Sequence, residues 1–197
     1  MKLLLFIERP SELKFIKPIL DNLKRETDVS YLLSSTYKKK YNKLISNKNK
    51  TFYKNKIHLI YKLLTLDADI VLTSTPGLGI GNYKKTIANK STKYGYFFHS
   101  MLGIENTYIE GALDHFDFVL STGPKHDVEI RKRERVKQLR KKKILKYGYA
   151  PIEELRSYRG ASEQKILIAP TWNGPIIQSS LISEIIHNID PSEQLII

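Results

Sequence analysis

The chain has 197 residues, enough for one domain of ordinary size, or for one domain and part of another. Hydrophobic residues make up 41% and charged residues 27%, a balance typical of globular proteins and not of disordered or fibrous ones. The sequence contains no cysteine, which excludes disulfides, thiolate zinc sites, iron–sulfur clusters and cysteine nucleophiles. No apolar run approaches the ~20 residues of a membrane span. The short apolar start stops at Glu8, before a signal peptide would end, so we expect a cytoplasmic protein.

Apolar runs alternate with helical patterns along most of the chain. The apolar runs predict strands at residues 2–7, 28–33, 68–74, 94–99, 116–121 and 144–147. The helical patterns cover residues 11–24, 37–45, 57–66, 108–115, 124–140 and 152–158. Continuous apolar strands that alternate with helices predict an α/β fold, with a parallel sheet covered on both faces.

The character of the sequence changes near residue 159. Residues 159–164 are polar and predict a linker, after which residues 165–169 and 194–197 predict strands and residues 179–188 a helix. We therefore expect a first domain at 1–158, a linker at 159–164 and the beginning of a second domain at 165–197. A lone strand–helix–strand unit cannot bury its own faces, so we expect the second domain to be incomplete.

The net charge of +13 is concentrated in two segments. Residues 36–66 hold nine Lys and no acidic residue, while residues 129–146 hold ten Lys or Arg and two Glu. The first segment includes a short basic amphipathic helix, which either lies on an anionic membrane or packs onto its own domain. The second segment either binds a polyanion or forms an ordinary helix with a solvated, charged face. The candidate membrane-binding residues are four lysines of the amphipathic helix: Lys38, Lys39, Lys40 and Lys43.

Three segments at predicted strand ends carry the candidate chemistry, because ligands of open α/β sheets bind at the carboxyl ends of strands. Residues 73–81 form a glycine-rich loop that either turns the chain or brings backbone N–H groups to a phosphate. His99 ends an apolar strand, where it serves as a general base or packs within the fold. The loop at 170–174 either lines an interdomain cleft or simply connects a strand to a helix. The candidate substrate-binding residues are Thr75, Gly77, Ser100, Thr171 and Trp172.

Four segments, taken together, resemble one protein family. They are residues 69–79 (DIVLTSTPGLG), 94–132 (YGYFFHSMLGIENTYIEGALDHFDFVLSTGPKHDVEIRK), 146–157 (KYGYAPIEELRS) and 165–174 (KILIAPTWNG). Their order and spacing are similar to those of the CDP-glycerol glycerophosphotransferases, which prime and polymerise teichoic acids and related cell-surface polymers. The resemblance covers more than half of the chain.

This resemblance implies a GT-B-like fold, in which two Rossmann-like domains face each other across a cleft. The N-terminal domain would take a lipid-linked or glycan acceptor, and the C-terminal domain CDP-glycerol or a similar CDP-polyol. The reaction would transfer the polyol phosphate and release CMP, with His99 as the general base. The family usually continues from this histidine with Gly-Thr-Pro, whereas residues 100–102 are Ser-Met-Leu. Its donor-binding residues would lie beyond residue 197, so we expect a partial or inactive form.

Other functions stay open beside this one. A GT-B sugar-nucleotide enzyme, either a glycosyltransferase or a relative of the UDP-sugar 2-epimerases, would share the architecture and use UDP. A basic module that binds nucleic acid or membrane without catalysis would use the two cationic segments, which match no helix–turn–helix, RRM or OB pattern. We expect an anionic inner membrane surface as a partner, and neither nucleic acid, nor a metal, nor a cofactor.

Overall fold

The computed structural model describes residues 1–23, 26–156, 165–167, 184, 188 and 194–196. The chain divides into two compact units, Met1–Arg156 and Ser157–Ile197. The first unit alternates strands and helices, except that residues 74–92, between its fourth and fifth strands, contain no helix. Its strands are β1 (Lys2–Ile7), β2 (Asp28–Ser34), β3 (Lys50–Tyr53), β4 (Ile70–Thr73), β5 (Lys93–Phe97), β6 (Phe118–Ser121) and β7 (Lys143–Lys146). Its helices are α1 (Leu13–Asp21), α2 (Lys38–Leu44), α3 (Lys56–Leu64), α4 (Ile104–Thr107), α5 (Pro124–Val136) and α6 (Ala150–Arg156).

All seven strands of the first unit are parallel, in the order β3-β2-β1-β4-β5-β6-β7. Strand β1 lies inside the sheet, and its Leu5 pairs with Tyr31 of β2 on one side and with Leu72 of β4 on the other. This is the strand order of a Rossmann-like domain. It confirms the predicted α/β fold with a parallel sheet.

Strand β1 is buried on both faces of the sheet, which explains its uninterrupted apolar sequence. Because successive strand residues point to opposite faces, Leu4 and Phe6 pack into one core cluster, whereas Leu3, Leu5 and Ile7 pack into the other. The first cluster also contains buried residues of α3 and α5, and the second contains buried residues of α1 and α2. Helices therefore cover both faces of the sheet, as predicted.

Two local predictions are corrected by the structure. The helix predicted at 108–115 is wrong: the helical turn is α4, and residues 110–115 form turns instead. Gly111 in that stretch has a φ of 85°, a left-handed conformation that interrupts an α-helix. The sequence analysis also missed β3, because this strand lies at the edge of the sheet, is only partly buried and has no apolar run.

In the second unit, β8 (Lys165–Leu167) pairs in parallel with β9 (Gln194–Ile196) in a separate two-stranded sheet. The predicted helix at 179–188 lies largely outside the described residues. The assignment of this unit to a donor-side domain stays a prediction. Across the described part of the chain, no helix is both long enough and apolar enough to cross a bilayer.

Gly95 of β5 provides a test of the packing between sheet and core. A Cβ atom at this position would overlap the ring of Phe118 and lie 2.9 Å from Cδ1 of Leu72. We therefore expect Gly95→Ala to lower the free energy of unfolding by about 1–3 kcal/mol, the usual cost of overpacking. Urea denaturation monitored by circular dichroism measures this loss.

Gly123→Ala is the matched control. No atom lies within 4 Å of a Cβ built on Gly123, which precedes α5. This substitution loses only the modest preference for glycine at a helix N-cap, so it should cost under about 1 kcal/mol. Equal losses at the two positions would contradict the packing argument.

Candidate functional site

The strand order creates a crevice at the carboxyl ends of β1 and β4, where the chain passes from one half of the sheet to the other. Residues 8–12 follow β1, residues 74–83 follow β4, and residues 98–100 follow β5. In open α/β sheets, ligands bind at this edge and at this reversal of strand order. The side chains of these three segments therefore form the candidate site.

His99 follows β5 and is half-buried. Its ring packs edge-on against Phe15 of α1, with a distance of 6.4 Å between the ring centroids. Its backbone carbonyl accepts a hydrogen bond of 3.3 Å from the hydroxyl of Tyr149. The Nδ1 atom of His99 is buried and has no hydrogen-bond partner among the residues that the structure describes. Because nearly all buried polar atoms of folded proteins are paired, this nitrogen distinguishes His99 from a histidine that only packs.

His126 shows what a packing histidine looks like in the same fold. Its side chain is 1% exposed, and its ring lies 4.1 Å from that of Phe98. Its Nδ1 is 2.8 Å from Oγ1 of Thr122, and its Nε2 is 2.9 Å from the carbonyl oxygen of Leu102. Both ring nitrogens are therefore satisfied within the protein. The sequence analysis assigned His126 no function, and its contacts account for it as a core residue.

Glu12 connects the segments that follow β1 and β4. Its Oε2 accepts a hydrogen bond of 2.7 Å from the hydroxyl of Ser74, and one of 3.3 Å from the backbone N–H of Glu8. Burial raises the pKa of Glu12, while the hydrogen bond from Ser74 and the charge of a protonated His99 both lower it. Glu12 and His99 are thus within electrostatic reach of each other, one on each side of the crevice.

Glu8 is the second carboxylate at this edge. Its Oε1 accepts a hydrogen bond of 2.8 Å from the hydroxyl of Tyr83, whose ring packs against Phe6. Tyr53 lies nearby, and burial together with the charge of Glu8 raises the pKa of Tyr53 to about 12. Carboxylates, hydroxyls and an imidazole therefore line the crevice. Groups of these kinds can accept hydrogen bonds from the hydroxyls of a polar ligand or donate hydrogen bonds to them.

Four of the predicted site residues lie at this edge of the sheet: His99, Ser100, Thr75 and Gly77. Ser100 follows His99, and its Oγ accepts a hydrogen bond of 3.1 Å from the N–H of Leu102. Thr75 follows β4 and is buried, and its Oγ1 has no hydrogen-bond partner within the described part of the chain. Their roles in binding substrate stay predictions.

Gly77 lies in the same loop with a φ of 85°, a conformation that glycine adopts without strain. Its N–H donates a hydrogen bond of 2.7 Å to the carbonyl of Ala112, so this amide is already used within the protein. The loop conformation by itself accounts for the glycine. Thr171 and Trp172 lie outside the described residues.

The sequence analysis did not single out Glu8, Glu12, Ser74 or Tyr83. The available signal was their position directly after predicted strands. Their position indicates a shared site only once β1 and β4 are known to be neighbours in the sheet. The sequence alone does not reveal which strands are neighbours. Across the described residues, no group of three or more His, Asp or Glu side chains is arranged to hold a metal ion.

The two cationic segments differ in how their charges are paired. In residues 129–146, six cations form ion pairs with carboxylates: Arg131, Lys132, Arg133, Lys137, Arg140 and Lys142. In residues 36–66, no lysine forms an ion pair with any carboxylate of the described residues. Six of the ten cations of the second segment are therefore paired with carboxylates of the protein. The first segment presents its positive charge to solvent.

Helix α2 packs onto its own domain and directs its lysines outward. Tyr41 is fully buried, and its hydroxyl donates a hydrogen bond of 3.0 Å to the carbonyl of Ile7. Ile45 directly after the helix is buried as well, whereas Leu44 is 55% exposed. The four candidate membrane-binding lysines, Lys38, Lys39, Lys40 and Lys43, are all exposed. Packing onto the domain and an outward cationic face are thus compatible in one helix.

No protein-family model and no curated protein matches this chain. The resemblance to the CDP-glycerol glycerophosphotransferases therefore depends on the four sequence segments quoted above.

The protonation of Glu12 tests the geometry of the crevice. Because burial is the largest influence, we expect the carboxyl of Glu12 to titrate above its ordinary pKa of 4.5. Ser74→Ala removes a hydrogen bond that favours the ionised form, so it should raise the pKa of Glu12 further. Carbon-13 NMR of the side-chain carboxyls measures both values. Glu110 is the internal reference, because Lys137 and Arg133 lower its pKa instead.

The same shift has a consequence for stability. A folded-state pKa above the unfolded value means that folded Glu12 keeps its proton where the unfolded chain has lost it. The contribution of Glu12 to stability should therefore fall as the pH rises from 4.5 through the folded pKa. Glu12→Gln should remove this fall. A Glu12 that titrates at or below its ordinary pKa would contradict the buried position.

Proposed function

We propose that this chain is the acceptor-side part of a GT-B-like transferase that moves a polyol phosphate from a CDP-polyol such as CDP-glycerol to a lipid-linked or glycan acceptor. The observation that carries the proposal is His99, which lies at the ligand-binding edge of a Rossmann-like sheet and has a buried, unpartnered Nδ1. His99 is also the position at which the family resemblance implies a general base.

The reaction requires one proton acceptor on the acceptor side. The hydroxyl oxygen of the acceptor attacks the β-phosphorus of the CDP-polyol, and a new P–O bond forms. The bond between that phosphorus and the bridging oxygen breaks, and its electron pair leaves with CMP. His99 takes the proton of the attacking hydroxyl. A carboxylate within electrostatic reach, such as Glu12, favours the imidazolium that results.

The polar lining of the crevice supports an acceptor with free hydroxyls. Glu8 and Glu12 provide carboxylate oxygens at this edge, and the hydroxyls of the buried Ser74 and of Tyr83 hold these carboxylates in place. A polyol or a sugar offers donors and acceptors for such groups. The lining carries two carboxylates, so it suits the uncharged part of an acceptor better than its phosphate.

A position on the anionic inner face of the membrane is the second part of the proposal. Support comes from the lysines of α2, which are exposed and unpaired within the described chain. Each cation near an anionic surface contributes about 1 kcal/mol. Four of them on one short helix would hold the protein reversibly beside a lipid-linked acceptor.

Nucleotide release from the complete gene product tests the transfer reaction. We expect CMP release from CDP-glycerol or another CDP-polyol when an acceptor is present, and no UDP release from UDP-sugars. His99→Ala should lower turnover by about 10²–10⁴-fold, the usual contribution of a general base. The affinity for the CDP-polyol and the melting temperature should change little.

His126→Ala is the contrasting control, because both nitrogens of His126 are bonded inside the protein. It should lower the melting temperature and reduce activity only in proportion to unfolding. Full activity in His99→Ala would remove His99 from the mechanism. UDP release would favour a sugar-nucleotide enzyme, and release of neither nucleotide would refute the proposed transfer.

Vesicle sedimentation tests the membrane surface. Changing Lys38, Lys39, Lys40 and Lys43 together to Glu should abolish sedimentation with vesicles that contain phosphatidylglycerol, because attraction becomes repulsion. The matched control changes four other exposed lysines with no ion pair, Lys84, Lys90, Lys125 and Lys141, to Glu. Sedimentation that responds equally to both changes would show an effect of net charge alone.

A further inference from the structure

A groove of about 590 Å³ lies between α1 and α2. Its volume is within the range of about 300–1,000 Å³ that is typical of small-molecule sites. Four aliphatic side chains line it: Leu13, Leu20, Leu44 and Ile45. Three lysines line it as well: Lys14, Lys17 and Lys40. The groove thus combines a mainly apolar surface with cationic side chains. It borders the crevice at Pro10 and Ser11, but neither Glu8, Glu12, Ser74 nor His99 lines it.

The sequence of the two helices explains this combination. In α1, Leu13 and Leu20 are seven residues apart and share a face, and Lys14 and Lys17 lie one turn apart beside it. In α2, Lys40 and Leu44 are four residues apart and are neighbours on the helix surface. Each helix therefore turns the border between its polar and apolar faces toward the groove.

The charge of the groove favours an anion. Lys14, Lys17 and Lys40 are exposed, and none of them forms an ion pair among the described residues. Lys14 lies 5.0 Å above the ring of Phe15, which holds its ammonium group beside the groove. Asp21 is the one acidic side chain among the described residues that line the groove. The net charge of these four side chains is therefore positive.

We propose that the groove binds one acidic phospholipid, with its acyl chain on the aliphatic side chains and its phosphate against Lys14, Lys17 and Lys40. A soluble anion without a chain would leave Leu44 and its neighbours exposed to water. A neutral apolar ligand would leave the lysines unpaired. An acidic lipid satisfies both surfaces. This inference builds on the proposed membrane association and is independent of the transfer reaction.

A single-chain lipid below its micellar concentration isolates this site from attraction to a membrane surface. We expect the 197-residue chain to bind lysophosphatidylglycerol saturably with one site, as measured by isothermal titration calorimetry. Glycerol 3-phosphate has the head without the chain, and lysophosphatidylcholine has the chain with a zwitterionic head. Both should bind at least tenfold more weakly.

Two substitutions and their matched controls locate the site. Leu44→Asp and Lys40→Glu should each weaken binding of lysophosphatidylglycerol at least tenfold. The controls are Ile57→Asp and Lys84→Glu, which make the same changes at exposed positions outside the groove and should leave the affinity within about threefold. Leu44 and Ile57 are 55% and 80% exposed, so neither substitution opens the core.

The results separate this site from the other proposals. If glycerol 3-phosphate binds as tightly as lysophosphatidylglycerol, the groove recognises only the anion. If lysophosphatidylcholine binds as tightly, the groove recognises only the acyl chain. Equal weakening by the controls would show that the lipid binds elsewhere. Each result overturns the proposal. If vesicle sedimentation persists while lysophosphatidylglycerol fails to bind, the membrane-binding role of the lysines is supported and the lipid site in the groove is refuted. Neither measurement depends on CMP release.

Discussion

Every strand of the first unit runs in the same direction, and this constraint determines where its functional groups can meet. Parallel strands require crossover connections, so each helix must pass over one face of the sheet before the next strand begins. All carboxyl ends then lie at a single edge. Since β4 lies beside β1 although β2 and β3 come between them in the sequence, Glu12, Ser74 and His99 come together at that edge from distant parts of the chain.

The sequence predicts the fold well where burial is complete and poorly where it is partial. Strand β1 is a continuous apolar run because both of its faces are covered, and its bounds match the prediction. Strand β3 has one neighbour and partly exposed side chains, so its sequence carries no comparable signal. His99 was predictable from its place at the end of an apolar strand. Glu12 was not, since its partner Ser74 depends on which strands are adjacent.

Charge shows the same limit of sequence reasoning. The two basic segments are similar when counted along the chain, yet only residues 36–66 keep their charge free of ion pairs. The carboxylates that pair with the second segment include Glu110, Asp114 and Asp117, which precede α5 and are brought beside it by the fold. A count over a sequence window misses such partners. Hydrophobic spacing predicts which face a helix buries, whereas the effective charge of the opposite face depends on tertiary neighbours.

Helix α1 connects the crevice with the lipid groove. Glu12 immediately precedes this helix and faces Ser74, while Ser11 and Leu13 on either side of it line the groove. At about 1.5 Å per residue, the nine residues of α1 span roughly 13 Å, so the whole groove lies within about one helix length of the crevice. A lipid bound there as proposed would have its phosphate against Lys14, which follows Glu12 by two residues. If the acceptor is lipid-linked, the groove and the crevice would therefore bind two ends of one molecule, and anchoring would raise the local concentration of the attacking hydroxyl.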